Sequence, residues 1–410
     1  MKEILDDWEQ RKLGDSIKVM DGDRGSNYPH DTDFFENGNT LFLDTGNVTK
    51  NGFKFDSVKY ITKEKDEQLR SGKLEKNDFV LTSRGTLGNV GFYNDLVYKI
   101  HPKIRINSAM LILRNTDEQL SYNYLHTLLK GKLISDFMKK NQVGSAQPHI
   151  TRSEFLKLNL NVPCDIEEQN KIGDFFKSLD DTITLHLRKL DLLKQLKQGF
   201  LQQMFVRDGE KEPILRFADF GSGWEQRKLG EIARNNYGGG TPKTNIREFW
   251  NGNIPWFQSS DLEMNKLFNV SPKKKITSEA VQKSATKIIP SNSIAVVTRV
   301  GVGKLALMSF EYATSQDFLS LSELQVDPYF GIYSLYSMLQ KELNNIQGTS
   351  IKGMTKSDLL EKILVIPKRI EEQKKIGAFF QQLDTAITIH QSKIDKLITL
   401  KKAYLTKLFI

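Results

Sequence analysis

Two arginines stand at the ends of apolar runs and are each followed by glycines. They lie in SRGTLG at 83–88 and TRVGVG at 298–303, with Arg84 answering Arg299 at an offset of 215. Glycine lets a backbone approach a ligand closely. A guanidinium fork held this way can contact guanine O6 and N7, bind a phosphate, or close a structural salt bridge. Ser83, Thr86, Thr298 and Lys304 flank the two arginines and belong to the same candidate site. Lys103 and Arg105, and Lys273–Lys275 in the other half, could bind phosphate, although short basic runs are usually solvated faces. A second matched pair of loops, GSAQPH and GTSIKG, adds Ser145, Gln147, Thr349 and Lys352 as residues that could line a groove. The same loops could simply turn the chain into the helix that follows.

Other chemistry lacks its residues. GGGTPKT at 238–244 does not have Walker A spacing, and VGVGK leaves no room for the phosphate loop before its lysine. The histidines at 30, 101, 126, 149, 186 and 390 show neither HExxH nor paired metal-ligand spacing. No nucleophile elbow is present. DPYF at 327–330 is similar to an amino-methyltransferase motif but lacks its second proline, and it reads as a turn. The expectation is a chain that is not catalytic alone and holds no cofactor or metal.

Bulk properties agree with a DNA-binding reading without requiring it. The net charge is +9, which favours anionic partners. A single cysteine, Cys164, excludes an internal disulfide framework and fits a reducing cytoplasm. Apolar stretches such as Ile288–Val297 are too short for a bilayer, and MKEILDDWEQRKLG has no signal-peptide core, so the expected location is cytoplasmic with no membrane contact.

The elements that must hold these residues are announced by a repeat. WEQRKLG occurs at 8–14 and again at 224–230. GSAQPHITRSEFLKLNLNVP at 144–163 answers GTSIKGMTKSDLLEKILVIP at 348–367, and IEEQNKIGDFFKSLDDTIT at 166–184 answers IEEQKKIGAFFQQLDTAIT at 370–388. Residues 15–82 and 231–297 share almost no wording, so the frame reads as duplicated with different contents. This divides the chain into a first recognition domain (1–164), a helical spacer (165–206), a linker (207–222), a second domain (223–367) and a second spacer (368–410).

Both spacers carry a heptad pattern with one register. Its seam holds Phe176, Leu179, Ile183, Leu190 and Leu193 in the first copy, and Phe380, Leu383, Ile387, Ile394 and Leu397 in the second. Each copy also has a lysine at an a position, Lys197 and Lys401, and a histidine at a d position, His186 and His390. The simplest pairing is antiparallel, which would relate two heads by a pseudo-two-fold axis and make the helices a ruler of roughly 60 Å. A plain core helix or a homodimer seam would show the same pattern. The heads read as mixed α/β with short strands, including NDFVLTSRG, GNVGFYNDLVYKI and KIIPSNSIAVVTRVG, and one helix after the strands of each head, YNYLHTLLKGKLISDFMKKN at 122–141 and GIYSLYSMLQKELNNI at 331–346. The fold class expected is therefore α+β: two mixed α/β domains joined by two long helices.

On WEQRKLG twice, PILRFADF before the second copy, GGGTPKTNIREFWNGNIPWFQSSDL and the paired IEEQxKIGxFFxxLD helices, the chain resembles the specificity subunit of type I restriction–modification enzymes over essentially its whole length. The resemblance implies two target-recognition domains, each reading half of a split site in double-stranded DNA. It also implies two modification subunits using S-adenosylmethionine for adenine methylation and two restriction subunits using ATP and Mg. DGDRGSNYPHDTDF in the first domain, against GGGTPKTN in the second, suggests unrelated readers and an asymmetric site. The first repeat lacks a counterpart of PILRFADF. A coiled-coil scaffold whose heads bind protein is the competing reading.

Overall fold

The structure, a computed structural model, describes residues 8–141, 152–207, 209–221, 223–345 and 354–409. It forms two compact units, Met1–His186 with Lys393–Ile410, and Leu187–Ser392. Each unit thus takes part of both long helices, a division that differs from the five segments drawn on the sequence.

In the first unit a joint is made by Trp8–Lys12 running antiparallel to Asn159–Pro163, with Trp8 opposite Pro163. A four-stranded antiparallel sheet follows in the order Ile17–Asp21, Met110–Asn115, Phe79–Thr82, Val90–Phe92. A three-stranded sheet has the order Lys59–Ile61, Thr40–Leu43, Ile104–Ile106, its last pair parallel. The second unit repeats every step. Trp224–Lys228 pairs with Ile363–Pro367, Trp224 facing Pro367. Its larger sheet runs Ala233–Gly238, Phe318–Leu324, Ser293–Val297, Leu305–Met308, and the smaller Lys274–Ile276, Ile254–Phe257, Ala313–Thr314, again with the last pair parallel.

The central strands Phe79–Thr82 and Ser293–Val297 are buried at every position because both faces are covered. Alternate residues point to opposite sides. Phe79 and Leu81 join a core with Tyr124, Leu125 and Leu128 of the following helix, while Val80 faces Leu41, Leu43 and Ile104 of the smaller sheet. Ile294 and Val296 pack with Tyr333 and Leu339, and Ala295 and Val297 pack with Phe257 and Tyr312.

Several local expectations change. DLVYKI was expected to extend a strand, but Asp95–Ile100 is a helix, because the Asn94 side chain accepts from Val97 N at 3.1 Å and caps it. The helix expected over 122–141 breaks at Gly131 into Tyr122–Lys130 and Lys132–Asn141. DPYF is not a turn: Asp327 accepts from Phe330 N at 2.9 Å and Pro328 opens the helix Pro328–Asn345.

The long helices are Ile166–Met204 and Ile370–Leu408. In the first unit, Phe175 meets Tyr404 and Phe176 meets Phe409, so the start of one helix lies against the end of the other. In the second unit Phe200 meets Phe379 and Phe205 meets Phe380. Within each unit the pairing is therefore antiparallel. Phe176, Leu179, Ile183, Leu190, Phe380 and Ile394 are buried, and Leu193, Leu383, Ile387 and Leu397 are half-buried. Lys197 donates to Asp384 at 2.5 Å, and its repeat counterpart Lys401 donates to Asp180 at 2.5 Å. The heptad lysines are thus ion-pair partners across the seam.

Candidate nucleic-acid interface

The duplicated words build the platform that carries the heads. Trp8 Nε1 donates to Glu168 at 3.2 Å and Trp224 Nε1 to Glu372 at 3.3 Å, which ties WEQRKLG to the start of the IEEQ helix in each unit. Gln169 donates to Pro163 O and accepts from Ser121 N, each at 2.9 Å. Gln373 does the same with Pro367 O and Asp327 N at 2.9 Å. The helix glycines let the next helix approach: a Cβ on Gly173 would lie 2.5 Å from Tyr124 N, and one on Gly377 2.7 Å from Phe330 N. Arg216 adds a buried-end pair with Glu372 at 2.7 Å in the second unit.

On this platform the two arginine loops are anchored alike. Ser83 N and Oγ both donate to Ala109 O at 2.9 Å, and Thr298 N and Oγ1 donate to Asp317 O at 2.8 and 3.0 Å. Gly85 and Gly88 take φ of 69° and 82°, and Gly301 and Gly303 take 88° and 95°, conformations that favour glycine. Arg84, Thr86 and Arg299 are exposed, and among the described residues neither arginine has an ion-pair partner. Lys304 is half-buried and donates to Ser259 O at 3.2 Å. Lys103 is exposed and donates to Asn39 at 3.2 Å.

Three expected contact residues face inward. Arg105 is 5% exposed: its Nε pairs with buried Asp66, and its other nitrogens donate to Ser71 O at 2.8 Å and Asp66 O at 2.7 Å. It is a core ion pair, not a phosphate contact. Ser83 and Thr298 are 3% and 2% exposed, and their hydroxyls are used in anchoring the loops. Ser145, Gln147, Thr349 and Lys352 lie outside the described residues.

One residue escaped sequence reasoning although it lay inside the quoted repeat. Lys356 sits near Arg299; burial first, and then the Arg299 charge, push its pKa below the usual lysine range. Its repeat counterpart, Arg152, is exposed. A basic residue at the same place in TRSEF and TKSDL was the available signal.

The heads are also less unlike than their wording suggests. Gly22 and Gly239 occupy one place, since a Cβ would lie 2.1 Å from Asn107 O and 1.9 Å from Ser315 O respectively. Asn37–Asn39 and Asn251–Asn253 both read NGN, and each leads into the central strand of the smaller sheet. The two heads thus share one backbone frame and differ in the side chains that it carries.

Comparison with known proteins agrees with this architecture. The model of the type I restriction modification DNA specificity domain matches residues 5–195 and 221–399, and the chain belongs to that family. The type I restriction enzyme MjaVIII specificity subunit of Methanocaldococcus jannaschii is 22% identical over 418 residues, covering 97% of this chain and 91% of that one. The EcoR124I/EcoR124II specificity subunit of Escherichia coli is 29% identical over 249 residues, 57% of each chain. Among solved structures, the S subunit of the type I restriction–modification system from M. genitalium superposes with a TM-score of 0.64 at 12% identity, covering 98% of this chain and 96% of that one. A chain from a study of complex assembly and conformational transition of the type I system gives 0.55 at 17% identity, over 98% of both. The chain is accordingly a specificity component rather than a catalytic one, and its task is recognition of DNA sequence. Among the described residues no helix is long and apolar enough to cross a membrane, and no cluster of His, Cys, Asp or Glu is placed to hold a metal ion.

Proposed function

We propose that the chain reads a two-part, asymmetric DNA site in the cytoplasm, one part per head, and directs partner subunits to it. The observation that carries this is the matched pair Arg84 and Arg299, exposed on equally anchored glycine loops while Arg11, Arg105, Arg114 and Arg216 are all committed to carboxylates. A free guanidinium fork suits guanine O6 and N7. Lys356 and Arg152 suit phosphates that fix register without carrying sequence.

The partners would be two modification subunits with S-adenosylmethionine and two restriction subunits with ATP and Mg; this chain would hold none of these cofactors. Apolar side chains off the helix seam fit a modification subunit: Leu185, Ile398 and Leu400 in the first unit, and Leu192, Leu196 and Ile389 in the second, are 37–65% exposed. Large exposed apolar residues recurring along both helices mark an interaction surface. The helices would set the gap between half-sites, so inserting one or two turns into Ile166–Met204 changes the tolerated gap and leaves the half-site sequences alone.

The test uses the assembled modification complex and a randomised DNA pool. Arg84→Ala relaxes one half-site and Arg299→Ala the other, each by about 1–3 kcal/mol of discrimination at a single position. Loss of the same half-site by both variants overturns the two-head reading. A protein-binding scaffold is separated by salt: DNA affinity falls log-linearly with a slope of about −0.9 per phosphate contacted, and a flat response favours the scaffold.

A further inference from the structure

A cleft of about 310 Å³ in the second unit borders the Arg299 loop. Its walls hold both legs of that loop, through Asp317 O, which accepts from Thr298, and Ser259 O, which accepts from Lys304. One side is aromatic, with Trp256 buried, Trp250 half-buried and Lys274 Nζ 5.1 Å above the Trp250 ring. The mouth carries Thr241, Gln258 and Gln316. Gln316 Oε1 accepts from Thr241 Oγ1 at 2.6 Å, which leaves its amide nitrogen as the group available to donate. Gln258 Nε2 donates to Ser260 Oγ at 2.9 Å, which leaves its carbonyl oxygen as an acceptor.

The first unit has the same frame at this place. The turn Asp44–Asn47 is closed by Asp44 N donating to Asn47 at 3.0 Å, as Gln258 N donates to Asp261 at 3.0 Å. With Gly22 matching Gly239 and Ala109 matching Asp317, the residues equivalent to Thr241, Gln258 and Gln316 are Arg24, Asp44 and Ser108. Arg24 is exposed, pairs with Asp21 at 3.2 Å and donates to Ser108 O at 3.2 Å, while one oxygen of Asp44 accepts from Gly46 N at 2.8 Å, so the outer edge of the guanidinium and the second Asp44 oxygen are the groups left to meet a base. The frame is shared, yet the polar groups it presents are opposite in kind: a cation with a carboxylate in one unit, two neutral amides in the other.

We propose that this cleft and the matched positions of the first unit are base-reading sites of different base class, Arg24 and Asp44 taking a G·C pair and Gln258 and Gln316 an A·T pair. An arginine fork matches guanine O6 and N7, and a carboxylate accepts from cytosine N4. Adenine asks for one acceptor at N6 and one donor at N7. The Gln258 carbonyl and the Gln316 amide supply that pair between them. This rests on the reading of the chain as a two-headed DNA reader.

The test is methylation-based selection from a randomised duplex pool by the complete modification complex, with the wild-type chain, Arg24→Gln, Gln258→Ala and Gln316→Ala. The wild type is expected to enrich an invariant G·C pair in one half-site and an invariant A·T pair in the other. Arg24→Gln then lowers the preference at the G·C position roughly tenfold or more, while the A·T half-site stays intact and shows that the chain has folded. Gln258→Ala and Gln316→Ala do the converse. Variants that keep the wild-type preference at every position, or an Arg24→Gln effect on the A·T half, overturn the assignment of the two sites and leave DNA reading standing. A wild-type complex that enriches no sequence overturns DNA reading itself.

Discussion

Lys197→Met tests the more buried of the two matched seam ion pairs. Lys197 Nζ lies 2.5 Å from Asp384, with side-chain exposures of 10% and 20%. The ammonium also stands 5.4 and 5.5 Å from the ring centres of Tyr333 and Tyr336, and Tyr333 Oη donates to Asp384 at 2.6 Å. Removing one member of a buried pair costs about 3–5 kcal/mol. Asp384 keeps the Tyr333 bond and some solvent, which lowers this, while two ring contacts worth about 0.5–1 kcal/mol each are lost. The expected loss is about 2–4 kcal/mol. The double variant Lys197→Met/Asp384→Leu removes both charges and should fall within about 1–2 kcal/mol of wild type, since only the Tyr333 hydroxyl is left unpaired. Urea unfolding of the intact chain reads this through tryptophan fluorescence, because Trp224, Trp250 and Trp256 all lie in the second unit and only Trp8 in the first. The first unit supplies the comparison. Lys401 and Asp180 are 20% and 28% exposed, and Lys130 Nζ remains 3.6 Å from Asp180, so Lys401→Met should cost about 1 kcal/mol. A Lys197→Met cost under about 0.5 kcal/mol, or a double variant worse than the sum of the singles, refutes the argument.

Three further outcomes follow from single sites. Gly173→Ala and Gly377→Ala should destabilise by several kcal/mol, because the new Cβ meets backbone at 2.5 and 2.7 Å. Gly199→Ala in the same first helix meets nothing within 4 Å and should stabilise by about 1 kcal/mol, so thermal melts of the three separate close approach from helix propensity. His126, packed by Phe79 and Phe92, is pushed by burial, and then by Lys130, from 6.5 down to about 3. The unfolded chain therefore takes up a proton that the folded chain refuses, and stability falls as pH drops from about 6.5 toward 3, by at most about 1.4 kcal/mol per pH unit. His126→Leu should flatten acid unfolding in that window; an unchanged slope would sink the assignment. Lys356→Ala should weaken DNA binding similarly across sequences and reduce the salt slope by about one phosphate, as measured by titration at several salt concentrations.

The parts legible in the sequence were those with local or repeated causes. The long helices show because a seven-residue pattern lies within each helix, and the joints show because Trp8, Glu168 and Gln169 recur as Trp224, Glu372 and Gln373. The heads were harder because their determinants are non-local. What Gly22 or Gly239 must accommodate is a carbonyl about 80 residues away, and nothing adjacent to them says so. Arg84 and Arg105 are alike as residues, yet only the position of Asp66 on another element separates an exposed fork from a buried pair. A trace was present: Arg105 sits between Ile104 and Ile106 in a strand buried at all three places, an unusual setting for a phosphate contact. Asp95–Ile100 was misread because an apolar run of that length fits a short strand, and only the Asn94 cap decides for helix.

The way the first unit is completed has a consequence for how the protein is made. Its core includes Phe409 packed on Trp8, Tyr124 and Phe176, so residues from the far end of the sequence close a cavity opened by the earliest ones. Phe176 and Phe409 are 233 residues apart. At roughly 5–20 residues per second a ribosome needs about 12–47 s to cover that distance. During this interval the nascent first unit lacks Phe409, the ring that packs on Trp8, Tyr124 and Phe176, while the second unit, whose stretch 187–392 is continuous, can finish first. The order of synthesis and the order of folding are then reversed, and a chaperone has its longest opportunity on the unit that is translated first.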